Sequence, residues 1–238
     1  MYKSLKKLKR KYGIFNPLQN QLKLDDILST NFISSLLKDN LYIPFTGWSL
    51  RPYCLAYVLN EILINNRKSI IEFGSGISTI LIARLAQLND LDLRLISVEH
   101  NLEWQNHIKK ILDKEQLDQY VEFASIPLTK SENSLDNLTW YDEENLNKQV
   151  KETKFDLVLV DGPPADLGLE RFTAMPFLID KLATSYTIFL DDAHRKDEQQ
   201  ITHLWKKQYD LQFEIHGGTL GVCRKGNHFD SNPVLYSF

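Results

Sequence analysis

The sequence predicts an α/β fold: a seven-stranded, mostly parallel sheet with helices on both faces, closed by a C-terminal antiparallel hairpin. Three observations carry this. Five short apolar runs, beginning near residues 69, 93, 121, 155 and 186, alternate with segments of helical period. The run Phe155–Val160 is almost continuously branched, as in a strand buried on both faces of a parallel sheet. Two further segments flank Gly217-Gly218, a hairpin signal.

Met1 to Tyr12 sets Lys3, Lys6, Lys7, Lys9, Arg10 and Lys11 around Leu5, Leu8 and Tyr12. Such a segment suits weak contact with an anionic membrane surface, an acidic partner, or plain solvation. Leu24 to Leu37 has helical spacing, with Asp25 or Asp26 at its start. Tyr42 to Pro52 is an aromatic-rich loop that serves either as a lid or as packing. Ser49 is placed to cap the next helix, with Pro52 in its first turn. That helix reaches about Asn65, and Leu55, Val58, Leu59, Ile62 and Leu63 form its core face. Residues 1–65 thus read as an N-terminal helical and lid extension. Residues 66–238 read as the ligand-binding part of one structural domain.

Ser69–Phe73 is the first strand, and Gly74-Ser75-Gly76 the turn into a helix beginning near Ile77. Glycine suits a positive φ or a close backbone approach, and the helix N-terminus offers unpaired N–H groups. The dinucleotide fingerprint wants a last Gly or Ala, where this chain has Thr79. Glu72 would repel a pyrophosphate but accept from an ammonium group. S-adenosylmethionine (SAM), an amino acid with a sulfonium and no phosphate, is therefore favoured over NAD. The second strand, Leu93 to Glu99, ends in an acid 23 residues beyond Gly76, where a carboxylate commonly takes ribose hydroxyls. His100 follows, and Asn101 is the N-cap of the next helix.

Val121–Ser125 is the third strand, ending in small residues where an adenine fits. Residues 127–154 form a polar insertion of 28 residues around Leu138, Trp140 and Tyr141, either a cover for the substrate or a decorated loop. Asp161 ends the fourth strand, before Gly162-Pro163-Pro164, and points into the crevice beyond the strand tips. The fifth strand, Tyr186–Leu190, runs into Asp191-Asp192-Ala193-His194-Arg195.

Bulk composition narrows the partners. The 238 residues are 43% hydrophobic and 25% charged, with net charge −3, which fits a soluble globular protein and gives nucleic acid no global attraction. No apolar run approaches the roughly 18 residues of a membrane span, and no signal-peptide pattern stands at the N-terminus. A cytoplasmic location is expected. Cys54 and Cys223 are far apart in apolar segments and read as buried free thiols.

The ordered set Glu72-Phe73-Gly74-Ser75-Gly76, Ser97-Val98-Glu99-His100, Val160-Asp161-Gly162-Pro163-Pro164 and Leu190-Asp191-Asp192-Ala193-His194-Arg195 resembles the class I SAM-dependent methyltransferases, over roughly residues 43–224. The resemblance implies a Rossmann-like sheet in the order 3-2-1-4-5-7-6. Within the class, the chain looks most like bacterial small-molecule and sugar O-methyltransferases. By that analogy Glu72 holds the methionine amine, Gly74, Ser75, Gly76, Ser78 and Thr79 form the turn, Glu99 and His100 meet the ribose, Ser125 meets the adenine edge, and Asp161 and Gly162 close the pocket. Several such enzymes bind Mg²⁺ through acids after strands four and five, which Asp161, Asp191 and Asp192 match. The Gly-Pro-Pro after Asp161 departs from that pattern, so helix capping is the alternative.

The implied chemistry is methylation of a hydroxyl on a sugar or other small or glycan-like acceptor. His194 and Asp161 are the candidate catalytic groups, His194 because it follows strand five at the crevice and titrates near neutral pH. Two other classes remain open on the residues: a non-catalytic member that binds SAM or only a partner, and an NAD-dependent oxidoreductase. Asp161-Gly162-Pro163-Pro164 is not the Asn/Asp-Pro-Pro-Tyr motif of base-methylating enzymes.

Overall fold

The computed structural model describes residues 17–38, 41–43, 45–151, 153–164 and 168–234. The basic segment 1–12 lies outside them.

Three helices come first: α1 (Pro17–Phe32), a short α2 (Ser34–Leu37) and α3 (Pro52–Ile64). The expected helix over 24–37 thus begins earlier and breaks at Ile33. Asp25 and Asp26 lie mid-helix; Asp26 accepts from the Arg51 guanidinium at 2.9 Å and from the Tyr53 N–H at 3.3 Å. Pro52 does open α3, but the residue before it, Arg51, supplies no side-chain cap, and Ser49 bonds back to Thr46 instead. Leu63, expected in the core, is 41% exposed.

The main sheet uses β1 (Ser69–Phe73), β2 (Arg94–Glu99), β3 (Val121–Ser125), β6 (Phe155–Val160), β7 (Leu182–Leu190), β8 (Glu214–His216) and β9 (Leu220–Lys225). Its order is β3-β2-β1-β6-β7-β9-β8. Counting main-sheet strands alone, this is the expected 3-2-1-4-5-7-6. The first five pair in parallel, and β9 runs antiparallel to both neighbours. Strand five begins four residues earlier than expected, and the hairpin's first strand is shorter, starting at Glu214 rather than Leu211.

The insertion is not irregular. It folds as a two-stranded antiparallel ribbon, β4 (Leu128–Lys130) with β5 (Thr139–Tyr141), followed by α6 (Glu143–Val150). Trp140 and Tyr141 are fully buried, and Asp142 caps α6 by accepting from the Asn145 N–H at 2.9 Å.

Two apolar layers flank the sheet. One packs α3, α4 (Ile77–Leu88) and α5 (Leu102–Glu115) against Ile70, Leu95 and Leu157. The other packs α6, α7 (Ala174–Leu178) and α8 (Lys196–Tyr209) against Ile71, Ile96 and Val158. Alternation along each strand divides neighbours between the layers. Cys54 and Cys223 are buried free thiols, as expected. Among the described residues no helix is long and apolar enough to cross a membrane.

Candidate functional site

The strand tips are held level by backbone bonds that run past the strands: Gly74 N–H to Val98 O at 2.8 Å, Asp161 N–H to Phe73 O at 3.0 Å, and Asp191 N–H to Val160 O at 3.0 Å. Gly74 takes φ +96°, and its backbone lies against Gly162. A Cβ on Gly162 would stand 2.7 Å from the Tyr141 hydroxyl and 3.0 Å from the Gly74 nitrogen. Glycine is needed at both places because two strand tips cross with backbone on backbone. Gly76 differs, since open space surrounds its missing Cβ.

A cavity of about 410 Å³ opens over these tips. Of the expected site residues, Gly74, Ser75, Gly76, Ser78, Glu99, His100, Asp161 and Gly162 line it. Ile43, Leu50, Ile77, Ile80, Ile108 and Ile111 line an apolar end, and Thr46 and Trp48 bring the aromatic loop to the rim. Glu72, Thr79, Ser125, Asp191, Asp192 and His194 do not line it.

Glu99 is built into the wall. One carboxylate oxygen accepts from the N–H groups of His100 and Asn101, each at 2.8 Å, and the other accepts from the Ser75 N–H at 3.1 Å. His100 Nδ1 stands 2.9 Å from the first oxygen. The carboxylate thus ties the glycine turn to the tip of β2. Asn101 caps α5 as expected, accepting from Glu103 and Trp104. Trp104 adds a second tie, donating its indole N–H to the Ser75 carbonyl at 2.7 Å.

Glu72 has another setting. It is fully buried, and both its oxygens are taken: one by the Thr79 and Ser97 hydroxyls, the other by Ser78 at 2.8 Å. Burial, offset in part by those hydroxyls and reinforced by the nearby Glu99, pushes its carboxyl up to about 7. Glu72, expected to hold the methionine amine, thus stands behind the cavity wall rather than on it. Thr79, at the position where a dinucleotide site wants Gly or Ala, spends its hydroxyl on Glu72 and on the Gly76 N–H. Ser125 is also placed differently: its hydroxyl donates to the side-chain amide oxygen of Gln105, and it does not line the cavity.

The acids after the fourth and fifth main-sheet strands do cluster, with ligand atoms of Asp161, Asp191 and Asp192 within 4.8 Å of one another. The Arg171 guanidinium stands among them. It donates to the Asp161 carbonyl at 2.7 Å and the Asp191 carbonyl at 3.2 Å, and approaches the carboxylates of Asp161 at 3.4 Å, Asp192 at 3.7 Å and Glu198 at 3.6 Å. Arg195 adds 2.8 Å to Asp192. Burial first, then like charge, raises the carboxyls of both Asp161 and Asp191.

His194 is exposed; among the described residues its ring meets none of these groups, and its backbone carbonyl accepts from the Gln199 side chain. His194 therefore stands off the cavity wall, apart from the other expected site residues. His194→Ala is expected to change turnover less than about threefold, within the usual range for exposed substitutions. Steady-state rates of the purified variant check this.

Sequence reasoning did not single out Tyr141 as a site residue. Its hydroxyl is buried with no partner among the described residues, at the cavity wall between Gly162 and His100. Only its neighbourhood within an aromatic pair of the insertion signalled it. Nor does the spacing of the sequence mark Arg171 as the centre of the acids.

The model of a family described as a methyltransferase domain matches residues 71–193, just over half of the chain. The chain belongs to this family. Solved structures resemble it in fold. A Podospora anserina methyltransferase bound to S-adenosylhomocysteine gives a TM-score of 0.57 at 13% identity, covering 84% of this chain and 95% of its own. A Bacillus cereus O-methyltransferase, also in complex with S-adenosylhomocysteine, gives 0.55 at 13% identity, with 93% and 97% covered. TomG, an O-methyltransferase of Streptomyces achromogenes in complex with SAM, gives 0.50 at 13% identity, with 83% and 90% covered. No curated protein matches the chain. The fold is that of class I SAM-dependent methyltransferases.

The walls of this methyltransferase fit SAM on three counts: the open space at Gly76, the carboxylate of Glu99 facing the cavity, and the Tyr141 hydroxyl, which meets no partner among the described residues. Mg²⁺ fits poorly. The three aspartates are hard oxygen donors, but Arg171 already stands among them and offsets their charge.

Proposed function

We propose that this methyltransferase moves a methyl group from SAM to a hydroxyl of a small-molecule acceptor, a sugar among the candidates. Glu99 carries the reading. It is a buried carboxylate on the cavity wall, at the tip of β2, with its second oxygen holding a single N–H. That oxygen keeps room to accept from a ribose hydroxyl.

When bound, SAM supplies an electrophilic methyl group on a sulfonium. Gly74, Gly76 and the first N–H groups of α4 let the backbone approach the amino-acid end. Asp161 faces the cavity, and its raised carboxyl makes it a stronger base than an ordinary aspartate once ionised. It takes the acceptor's hydroxyl proton, in the place first assigned to His194. Thr46 and Trp48, from the N-terminal extension, border the site where the acceptor enters. The location expected for this chemistry is the cytoplasm.

Calorimetry tests the reading. The protein is expected to bind SAM and S-adenosylhomocysteine, and Glu99→Ala to weaken SAM about 100-fold, as loss of charge-assisted hydrogen bonds does. Binding of NAD without SAM overturns it. SAM binding with no methyl transfer to any hydroxyl acceptor points instead to a non-catalytic, cofactor-holding member.

A further inference from the structure

Helix α1 is amphipathic the wrong way round. Its inner face buries Asp25 and Ser29, each no more than 1% exposed, while Leu24, Ile27, Leu28 and Phe32 look outward at 44–61% exposure. The outward polar side chains do not relieve this face, because Thr30 and Asn31 bond back to helix carbonyls. A second apolar group lies in the loop before α3, where Tyr42 and Trp48 are 87% and 85% exposed. Arg51, which follows that loop, holds Asp26 at 2.9 Å and the Leu22 carbonyl at 3.0 Å. The stripe and the loop are therefore anchored to the same end of α3.

Charge says what covers them. Residues 1–24 hold seven of the chain's 28 Lys and Arg and not one of its 31 acids. The remainder carries 21 cations against those 31 acids. So strong a segregation fits a surface that is anionic and apolar at once. Exposed Trp and Tyr beside Lys-rich sequence is the composition of an interfacial anchor. A second copy of the chain would set one acidic body against another.

We propose that the outer face of α1, with the exposed Tyr42 and Trp48, docks on an anionic membrane surface, to which the basic composition of the N-terminal sequence adds attraction. Thr46 and Trp48 then bring the cavity's rim to the lipid boundary.

Flotation of the full chain with phosphatidylcholine vesicles, with and without phosphatidylglycerol, tests this. Binding is expected only to the anionic vesicles and to fall with added salt. The triple variant Lys6→Glu, Lys7→Glu, Arg10→Glu is expected to bind at least about tenfold more weakly, as is Ile27→Ser with Phe32→Ser. Both variants are melted beside the parent, and the Ser variant should match it, since Ile27 and Phe32 are exposed. For the unaltered chain, indole emission should shift to the blue on anionic vesicles, and Trp48→Phe should remove the shift. No binding to either vesicle overturns the proposal, and so does binding that the Ser variant leaves unchanged. If the Ser variant instead turns a dimer into a monomer without any vesicle effect, the face belongs to a second copy.

Discussion

Arg171→Leu is expected to lower the free energy of unfolding by about 3–5 kcal/mol, the usual cost of removing one partner from a buried charge cluster. The side chain is 6% exposed and approaches Asp161, Asp192 and Glu198 within 3.7 Å. It also ties the tips of β6 and β7 through the carbonyls of Asp161 and Asp191. Leucine fills similar space but leaves four acids with no cation at their centre; Arg195, on the outside, makes its close ion pair with Asp192. The carboxyls of Asp161 and Asp191 are raised even with Arg171 present. Without it they rise further. An acid raised in the folded state costs stability as pH climbs through its folded value. The loss should therefore be larger at pH 8 than at pH 5, as denaturant titrations at the two pH values would show. An equal loss at both would assign Arg171's contribution to its carbonyl bonds alone.

The fold was legible because each strand announces its end. Phe155–Val160 has no polar face to mislead, and Glu99, Asp161 and Asp191 stop their strands where the sheet gives way to the site. Turn chemistry at Gly74 and at Gly217-Gly218 fixed the direction changes. What spacing could not give was depth. Glu72 and Glu99 look alike in sequence, each an acid at a strand end. The register pairs Glu72 with Ser97, so Glu72 sits two residues below Glu99, roughly 7 Å deeper at the usual rise per residue. It meets the hydroxyls of α4's first turn, while Glu99 meets the cavity.

The acceptor side was less legible for a different reason. Tyr141 reaches the wall from the insertion, and Thr46 and Trp48 reach the rim from ahead of the first strand. Loop and ribbon residues carry no period that betrays their target. His194 shows the converse error. Position just past a strand tip is not sufficient for a site residue: the chain turns at Asp192, with φ +59°, and His194 is exposed.

Depth has a measurable consequence at Glu72. Its carboxyl is fully buried and pushed up to about 7, against 4.5 for the unfolded chain. Between those values the folded protein keeps a proton that the unfolded chain has lost. The unfolded state then binds fewer protons, so stability falls as pH rises. The contribution is complete below about pH 4.5 and gone above about pH 7, and at 1.36 kcal/mol per unit it amounts to about 3 kcal/mol. Glu72→Gln removes this titration while keeping the shape and two polar ends among the hydroxyls of Ser78, Thr79 and Ser97. The parent is expected to lose about 2–3 kcal/mol more than the variant between pH 5 and pH 8. Asp161 and Asp191 titrate in both proteins, so their share largely cancels in the difference. Parallel pH profiles would mean that three hydroxyl donors hold Glu72 ionised throughout. The glycine turn would then rest on a buried charge, and an ammonium group in the cavity would find an anion behind the wall at every working pH.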